Sequence, residues 1–256
     1  RATSRRRRIG GGQLLLLAGT AGTQQGHCDV CGDAISPGKL HMLRDGCKSC
    51  NECASIGVMD NSTLEKLYRE VAEPFFRTVL GVMDVKNVKV ELVSQIEICE
   101  EQGRVFIPTS GFDMRAIGLA VSNGRRARTG TSQEGARHSV LIESGFSPEN
   151  TALSLVHELT HVWQFNHLDF ERLRRDHGNH LIEGHAVWVE DAFIRDLDAK
   201  PNPIFDPARV QETSRDVERT KLRTDEYGVG YQLLVAKLGV FRPSPFDWMK
   251  RAYGKP

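Results

Sequence analysis

At 256 residues the chain is long enough for one sizeable domain plus a small accessory one, with a real hydrophobic core. Its 34 Lys and Arg stand against 33 Asp and Glu, a net charge of +1, so the overall charge gives no pull toward nucleic acid or an anionic membrane. No run approaches the roughly 20 apolar residues of a spanning helix, which excludes an obvious membrane span.

Residues 1–26 open with Ser4-Arg5-Arg6-Arg7-Arg8 and continue through Gln13-Leu14-Leu15-Leu16-Leu17-Ala18-Gly19. This reads as a basic disordered tail or as the remnant of an export or organelle signal, and it is set apart from the fold. Next comes a dense cysteine segment, residues 27–60. Five of the six cysteines, Cys28, Cys31, Cys47, Cys50 and Cys53, fall there, and Cys99 stands alone as an ordinary buried thiol. Clustered thiols point to metal, whereas a disulfide framework would spread them. Metal-binding thiols suit a reducing compartment, so the expected location is cytoplasmic, with export or an organelle as the alternative if the N-terminal segment is a signal.

Within that segment, Cys28-Asp29-Val30-Cys31 and Cys50-Asn51-Glu52-Cys53 are CxxC pairs separated by eighteen residues, the spacing of a four-thiolate structural zinc site. Ser36-Pro37-Gly38-Lys39 between them is turn chemistry, so each pair is expected on a knuckle at the end of a small β-hairpin. Cys47 and His41 are substitute ligands by residue type, but Cys47 would leave one thiol surplus.

Asp60-Asn61-Ser62-Thr63 then supplies helix-cap chemistry, and Leu64, Leu67, Tyr68, Val71, Phe75 and Val79 predict an amphipathic helix from Leu64 to Leu80, kinked at Pro74. Alternation predicts strand over Val88–Val93, parts of Ile96–Ile107, and Ser139–Ser144. The Gly- and Arg-rich stretch from Ser122 to Gly135 is a loop. Arg125, Arg126, Arg128 and Arg137 lack interleaved aromatics to stack bases, so no nucleic-acid partner is expected. Ser147-Pro148-Glu149 starts a helix that runs to about Phe165. Further helices are predicted from near Asn179 to about Leu197, from Pro207 to Arg223, and from Tyr227 to Leu238.

Inside the first of these C-terminal helices lies Val156-His157-Glu158-Leu159-Thr160-His161. One turn separates His157 from His161, so both imidazoles can reach one zinc. Glu158 projects beside that metal, where a carboxylate can take a proton from the water the metal activates. The flanking Leu155, Val156, Leu159, Val162 and Trp163 bury the helix, and burying three ionisable side chains together without a metal is expensive. The apolar strand just before the helix is expected to be a substrate-aligning edge strand.

A catalytic zinc needs a third protein ligand. His167 has the spacing of the last His in HExxHxxGxxH, but Gln164 replaces the Gly whose backbone freedom that turn requires. Glu183, on the next long helix, is the preferred ligand. Small Gly184 and Ala186 beside it would let the two helices approach. Glu190, two turns on, is a candidate to orient a ligating imidazole. His177, His180 and His185 are expected at the surface or behind the ligands. Tyr227 in Tyr227-Gly228-Val229-Gly230 is a candidate to polarise the scissile carbonyl, with a buried core tyrosine as its alternative.

These motifs resemble the plant ubiquitin-activated growth-control peptidases, the DA-one-like family, and their shorter relatives. The likeness runs from Asp45-Gly46-Cys47-Lys48-Ser49-Cys50-Asn51-Glu52-Cys53 and Val58-Met59-Asp60, through Leu155 to Trp163, to Glu183-Gly184 and Tyr227-Gly228-Val229-Gly230. It implies a LIM-like zinc region followed by an HExxH peptidase domain, with His157, His161 and Glu183 as ligands and Glu158 as the catalytic glutamate. In the family an Arg is usual at position 47, which supports Cys50 and Cys53 as ligands. Within these 256 residues there is one four-Cys site instead of a LIM tandem, and residues 1–26 do not resemble an acidic ubiquitin-interacting helix. The resulting expectation is an α+β protein: tail 1–26, zinc-ribbon or LIM-like β module 27–60, and a helix-rich zincin-type domain 61–256. It would hold one structural and one catalytic Zn2+, cleave a protein or peptide substrate, and have the zinc module as a surface for a protein partner.

Overall fold

The computed structural model describes residues 26–36, 38–43, 46–106, 117–122, 138–239 and 244–255. The basic tail, apart from Gly26, and the four loop arginines lie outside the described residues. The architecture is α+β, rich in helix with a small sheet, and it contains the cluster of four cysteines.

The cysteine segment folds as two hairpins. Gly26–His27 (β1) pairs antiparallel with Ala34–Ile35 (β2), and Leu40–Met42 (β3) with Lys48–Cys50 (β4). A short helix, Asn51–Ile56 (α1), follows β4 directly. The first CxxC pair does sit on a hairpin turn. The second instead spans a strand end and a helix, with Cys50 as the N-cap accepting from the Cys53 N–H. Such small elements bury little: Cys28, Val30, Ile35, Leu43, Cys47 and Cys53 close around Phe146, which comes from the turn before the HExxH helix. Backbone bonds fasten this seam, from Val58 N–H to Phe146 O (2.8 Å) and from Gly145 N–H to Val58 O (2.9 Å).

Asp60 caps Asn61–Leu67 (α2), accepting from the Thr63 N–H. The helical rod continues to Thr78, as the apolar spacing predicts, but the expected simple kink at Pro74 is replaced by a π turn over Tyr68–Ala72. There the Glu73 N–H bonds back to Tyr68 O, and Glu73–Thr78 (α3) follows. Proline has no N–H for the preceding turn, and the widened turn takes up the mismatch. Lys89–Val93 (β5) is strand, as expected. The segment after it is not: Ser94 and Glu97 form a capping box that starts a helix at Gln95–Glu101 (α4). The local Ser-x-x-Glu signal outweighs the alternation that predicts strand there.

Gly118–Ser122 (β6) and His138–Glu143 (β7) complete a three-stranded sheet ordered β5-β7-β6, with β7 parallel to β5 and antiparallel to β6. β7 is buried along its whole length as the central strand. The strand before the HExxH helix is therefore not the edge strand expected from sequence. Among the described residues the edges are β5 and β6, and β6 is the one that packs against α5.

Pro148–His167 (α5) begins as predicted, with the Ser147 hydroxyl accepting from the Asn150 N–H, and runs two residues past the expected end. Phe170–His177 (α6) follows, started by an Asp169 cap and ended at Gly178 with φ of 60°. Then come His180–Ala199 (α7), Pro207–Lys221 (α8), Glu226–Leu238 (α9) and Pro245–Tyr253 (α10). Sequence reading does not find α6 or α10, although Ser244-Pro245 repeats the helix-start signal of Ser147-Pro148. Among the described residues no helix is long and apolar enough to cross a membrane.

The main core runs between α5 and α7, where Leu155, Leu159 and Val162 are buried alongside Leu181, Ile182 and Val189. Gly184 corrects the expectation that it lets α7 approach α5. A Cβ there would lie 2.0 Å from the Gly230 carbonyl carbon, and one on Gly230 would lie 1.9 Å from His180 O. The glycine pair serves the α7–α9 crossing.

Candidate metal centres

Four thiols converge in the N-terminal module. The Sγ atoms of Cys28, Cys31, Cys50 and Cys53 all lie within 4.8 Å of one another, with Cys31 and Cys50 at 3.9 Å. Bonds of about 2.3 Å to a tetrahedral zinc place sulfurs about 3.8 Å apart, so the set fits that ion. Backbone N–H groups of Cys50 and Cys53 point at Cys28 and Cys50 sulfurs respectively (3.3 and 3.4 Å). Burial works against ionising Cys28, but the N–H groups of Cys31, Cys50 and Val30 outweigh it and draw its pKa down. Burial and the neighbouring thiol push Cys31 up to about 12, and burial likewise drives Cys53 upward. Cys28 is thus favoured as a thiolate, whereas Cys31 and Cys53 need a cation beside them to ionise. Cys47 is buried in the module outside the four-sulfur group, and His41 on β3 faces Asn51 Oδ1 at 2.7 Å instead. Cys99 is buried on α4.

The second cluster is built on α5 and α7. His157 and His161 face the same side of α5 with their Nε2 atoms 3.1 Å apart. Glu183, in the first turn of α7, brings Oε2 to 3.4 Å from His157 Nε2 and 3.5 Å from His161 Nε2. Bonds of 2.0–2.1 Å to one tetrahedral ion put donors about 3.3 Å apart, and these three fit. The outer ring nitrogens are occupied: His157 Nδ1 lies 2.8 Å from Glu190 Oε1, and His161 Nδ1 lies 2.8 Å from Gln164 Oε1. With both Nδ1 atoms donating, two lone pairs and a carboxylate oxygen meet at one point, an arrangement that calls for a positive charge between them.

Electrostatics follow the same geometry. Burial alone would lower both histidines. Glu190 and Glu183 reverse this at His157, Glu183 chiefly at His161, and both pKa values rise. Burial opposes the charge on Glu183, but the two imidazoles overcome it and depress its pKa. Glu158 goes the other way, raised by its burial, with the nearby imidazoles only partly offsetting that. A carboxyl with a raised pKa beside a metal site suits proton transfer.

Edge strand β6 lies against this glutamate. The Ala120 backbone lies close enough to the Glu158 carboxylate to offset a little of its burial-driven pKa rise, and a Cβ on Gly118 would fall 2.7 Å from Glu158 Cγ. Only glycine lets the strand pass this close. Neither residue is singled out by the sequence reading, and Gly118 carried no motif signal.

Tyr227 stands at the start of α9, its ring centroid 6.1 Å from that of His157, part-exposed at the edge of the site and not enclosed in the core. Burial and the charges of Glu183, Glu158 and Glu190 raise its pKa, so the hydroxyl keeps its proton for donation. His167 is elsewhere. Because α5 stays helical through position 167, it stands ten residues, about 15 Å, along the axis from His157. There its Nε2 meets Asp84 Oδ2 at 2.8 Å. His177 meets the Tyr253 hydroxyl, His180 the His177 carbonyl, and His185 is fully buried behind Gln164, with a pKa lowered to about 3 chiefly by that burial.

Comparison with protein-family models, curated proteins and solved structures finds no match to this chain. The functional reading therefore rests on the two clusters and their surroundings.

Proposed function

We propose that the protein is a zinc-dependent peptidase that hydrolyses peptide bonds in protein substrates, of the zincin type and akin to the DA-one-like family. The observation that carries this is the convergence of His157 Nε2, His161 Nε2 and Glu183 Oε2 at 3.1–3.5 Å, with a carboxylate oxygen of the buried Glu158 within 4.8 Å of a ring nitrogen of each histidine. His157, His161 and Glu183 are the ligands. Zinc, when bound, supplies polarisation of the scissile carbonyl and a more acidic water. Glu158 accepts the proton of the attacking water and returns it to the leaving amine, and its raised pKa lets it hold that proton between the two steps. Glu190 holds the His157 ring in the tautomer that turns Nε2 inward. Tyr227 donates to the carbonyl oxygen as charge develops there. Cys28, Cys31, Cys50 and Cys53 hold a second, structural zinc in a module distinct from the peptidase domain, which is also the surface for a protein partner.

The test is Glu158→Gln, compared with wild type in a proteome-wide cleavage assay. Gln keeps the shape and cannot take the proton, so cleavage is expected to fall by about 10²–10⁴ with zinc content unchanged. A zinc-loaded wild type whose cleavage is no greater than that of Glu158→Gln, with ubiquitin-pathway components added, would turn the reading toward a zinc-stabilised adaptor with an inactive peptidase-like domain.

A further inference from the structure

An HExxH pair fixes two imidazoles on one helix face but leaves open which nitrogen of each ring points inward. For His157 the answer lies on α7, in Glu190. For His161 it lies on its own helix, in Gln164, a primary amide with no solvent exposure among the apolar side chains of the core. A buried amide that leaves its carbonyl or NH2 unpaired costs about 1–3 kcal/mol, so its partners define its orientation.

Those partners admit one assignment. One end of the Gln164 amide lies 2.9 Å from the Ile182 carbonyl oxygen, which can only accept, so that end is the NH2. The same NH2 lies 3.2 Å from His185 Nδ1. The opposite end is therefore the carbonyl, and it lies 2.8 Å from His161 Nδ1, which must then carry the ring proton. In the neutral ring His161 Nε2 is then the lone pair, the form a metal ligand needs, and it faces His157 Nε2 and Glu183 Oε2.

The position of Ile182 extends the reach of this one side chain. Ile182 immediately precedes Glu183, so a single amide joins the imidazole of one ligand on α5 to the backbone carrying another on α7. Resting on the metal reading above, we propose that Gln164 is a positioning residue of the catalytic metal centre. It sets the tautomer of His161 and the separation of α5 and α7 that brings Glu183 to the histidine pair. Gln164 also stands where HExxHxxGxxH enzymes have the glycine that turns the chain back to a third histidine. Here the helix runs on, and the residue at that position secures a third ligand from another helix.

Substitution separates the two halves of the role. Gln164→Met keeps the volume and removes all three hydrogen bonds. Gln164→Glu keeps the acceptor for His161 and sets an oxygen against the Ile182 carbonyl. Zinc affinity of the full-length protein, measured by chelator competition with the four-cysteine zinc as internal control, is expected to fall 10–100-fold in Gln164→Met, the usual range for a partner of a ligating imidazole. Gln164→Glu should fall between it and wild type. The long-range 15N–1H pattern of the His161 ring should report Nδ1–H in wild type and in Gln164→Glu and lose that preference in Gln164→Met, and the cobalt-substituted spectrum should shift in both variants. Wild-type zinc affinity and an unchanged cobalt spectrum in either variant that folds would overturn the proposal and leave the metal reading standing. A wild type with no His157-dependent metal would overturn both.

Discussion

The four thiols sit on a hairpin turn, a strand end and a six-residue helix, whereas the imidazoles and Glu183 sit on two helices of 20 residues each. Around the thiols the apolar contacts are few and depend on Phe146 from outside the module. Around the histidines they run through α5, α7 and much of the rest of the protein. If both clusters hold zinc, as proposed, the same coordination chemistry stands in opposite relations to folding. In the module the ligands bring the chain together, and without a cation the thiols resist ionising together in one place. In the helical body the chain brings the ligands together, and the cluster would persist without metal, its charge balanced by protons on the histidines.

The largest expected effect breaks that contrast at its thiol end. Cys50→Ser removes one sulfur while leaving a hydroxyl able to cap α1, so it isolates the metal, and structural zinc in comparable small sites is worth about 10–16 kcal/mol of apparent binding energy. Amide protection over residues 26–56 should collapse while α5, α7 and α9 keep theirs. His157→Ala should do the reverse: metal is lost from the body and its protection is retained. Protection in the module that survives Cys50→Ser would show that Phe146 and its neighbours suffice as a core.

A smaller effect sharpens the other end. If the body builds its site by helix packing, the tightest crossing should matter more than any one polar contact. Gly184→Ala introduces a Cβ 2.0 Å from backbone, where no side-chain rotation can relieve the clash, so α7 and α9 must separate. Overpacking of this kind costs about 1–3 kcal/mol, and rigid backbone on both sides puts it at the upper end. The urea midpoint should fall accordingly, and because Glu183 is the adjacent residue, zinc affinity should fall with it. A wild-type midpoint in Gly184→Ala would mean that α9 can slide without cost.

Much of this was legible in the sequence, and the parts that were not have physical reasons. Caps and 3.6-residue periodicity located α5, α7, α8 and α9 within a few residues, because Ser147-Pro148 and long apolar stripes are local signals. Both CxxC pairs were equally local. β6 went unseen because five residues, Gly118–Ser122, offer no alternation, and their role depends on pairing with β7 and lying beside Glu158. Sequence also assigned the edge to the wrong strand, since sheet order is a non-local property. Gln164 was visible only as a missing glycine, because two of its three partners, Ile182 and His185, lie eighteen and twenty-one residues away. Gly184 was recognised as a close-approach glycine, but sequence cannot say which neighbour approaches.

The smallest expected effect concerns His167, which by spacing alone rivals Glu183 as third ligand. Bringing it to the metal would require α5 to end near position 164 and the chain to double back. Instead α5 remains helical to its last residue, and the Leu168 N–H bonds to Gln164 O within the final turn. His167 packs against Trp163 at a ring distance of 5.0 Å and pairs with Asp84, a residue largely open to solvent. Exposed pairs of this kind are worth at most about 1 kcal/mol. His167→Ala should therefore leave zinc content and Glu158-dependent cleavage unchanged and lower the melting temperature by no more than about 2–4 °C. Glu183→Ala, measured beside it, should strip the metal from the histidine pair while the four-cysteine zinc stays. If the outcomes are exchanged, with metal lost in His167→Ala and kept in Glu183→Ala, then the C-terminal end of α5 unwinds in solution, and the third ligand is reached by a turn of the chain and not by helix packing.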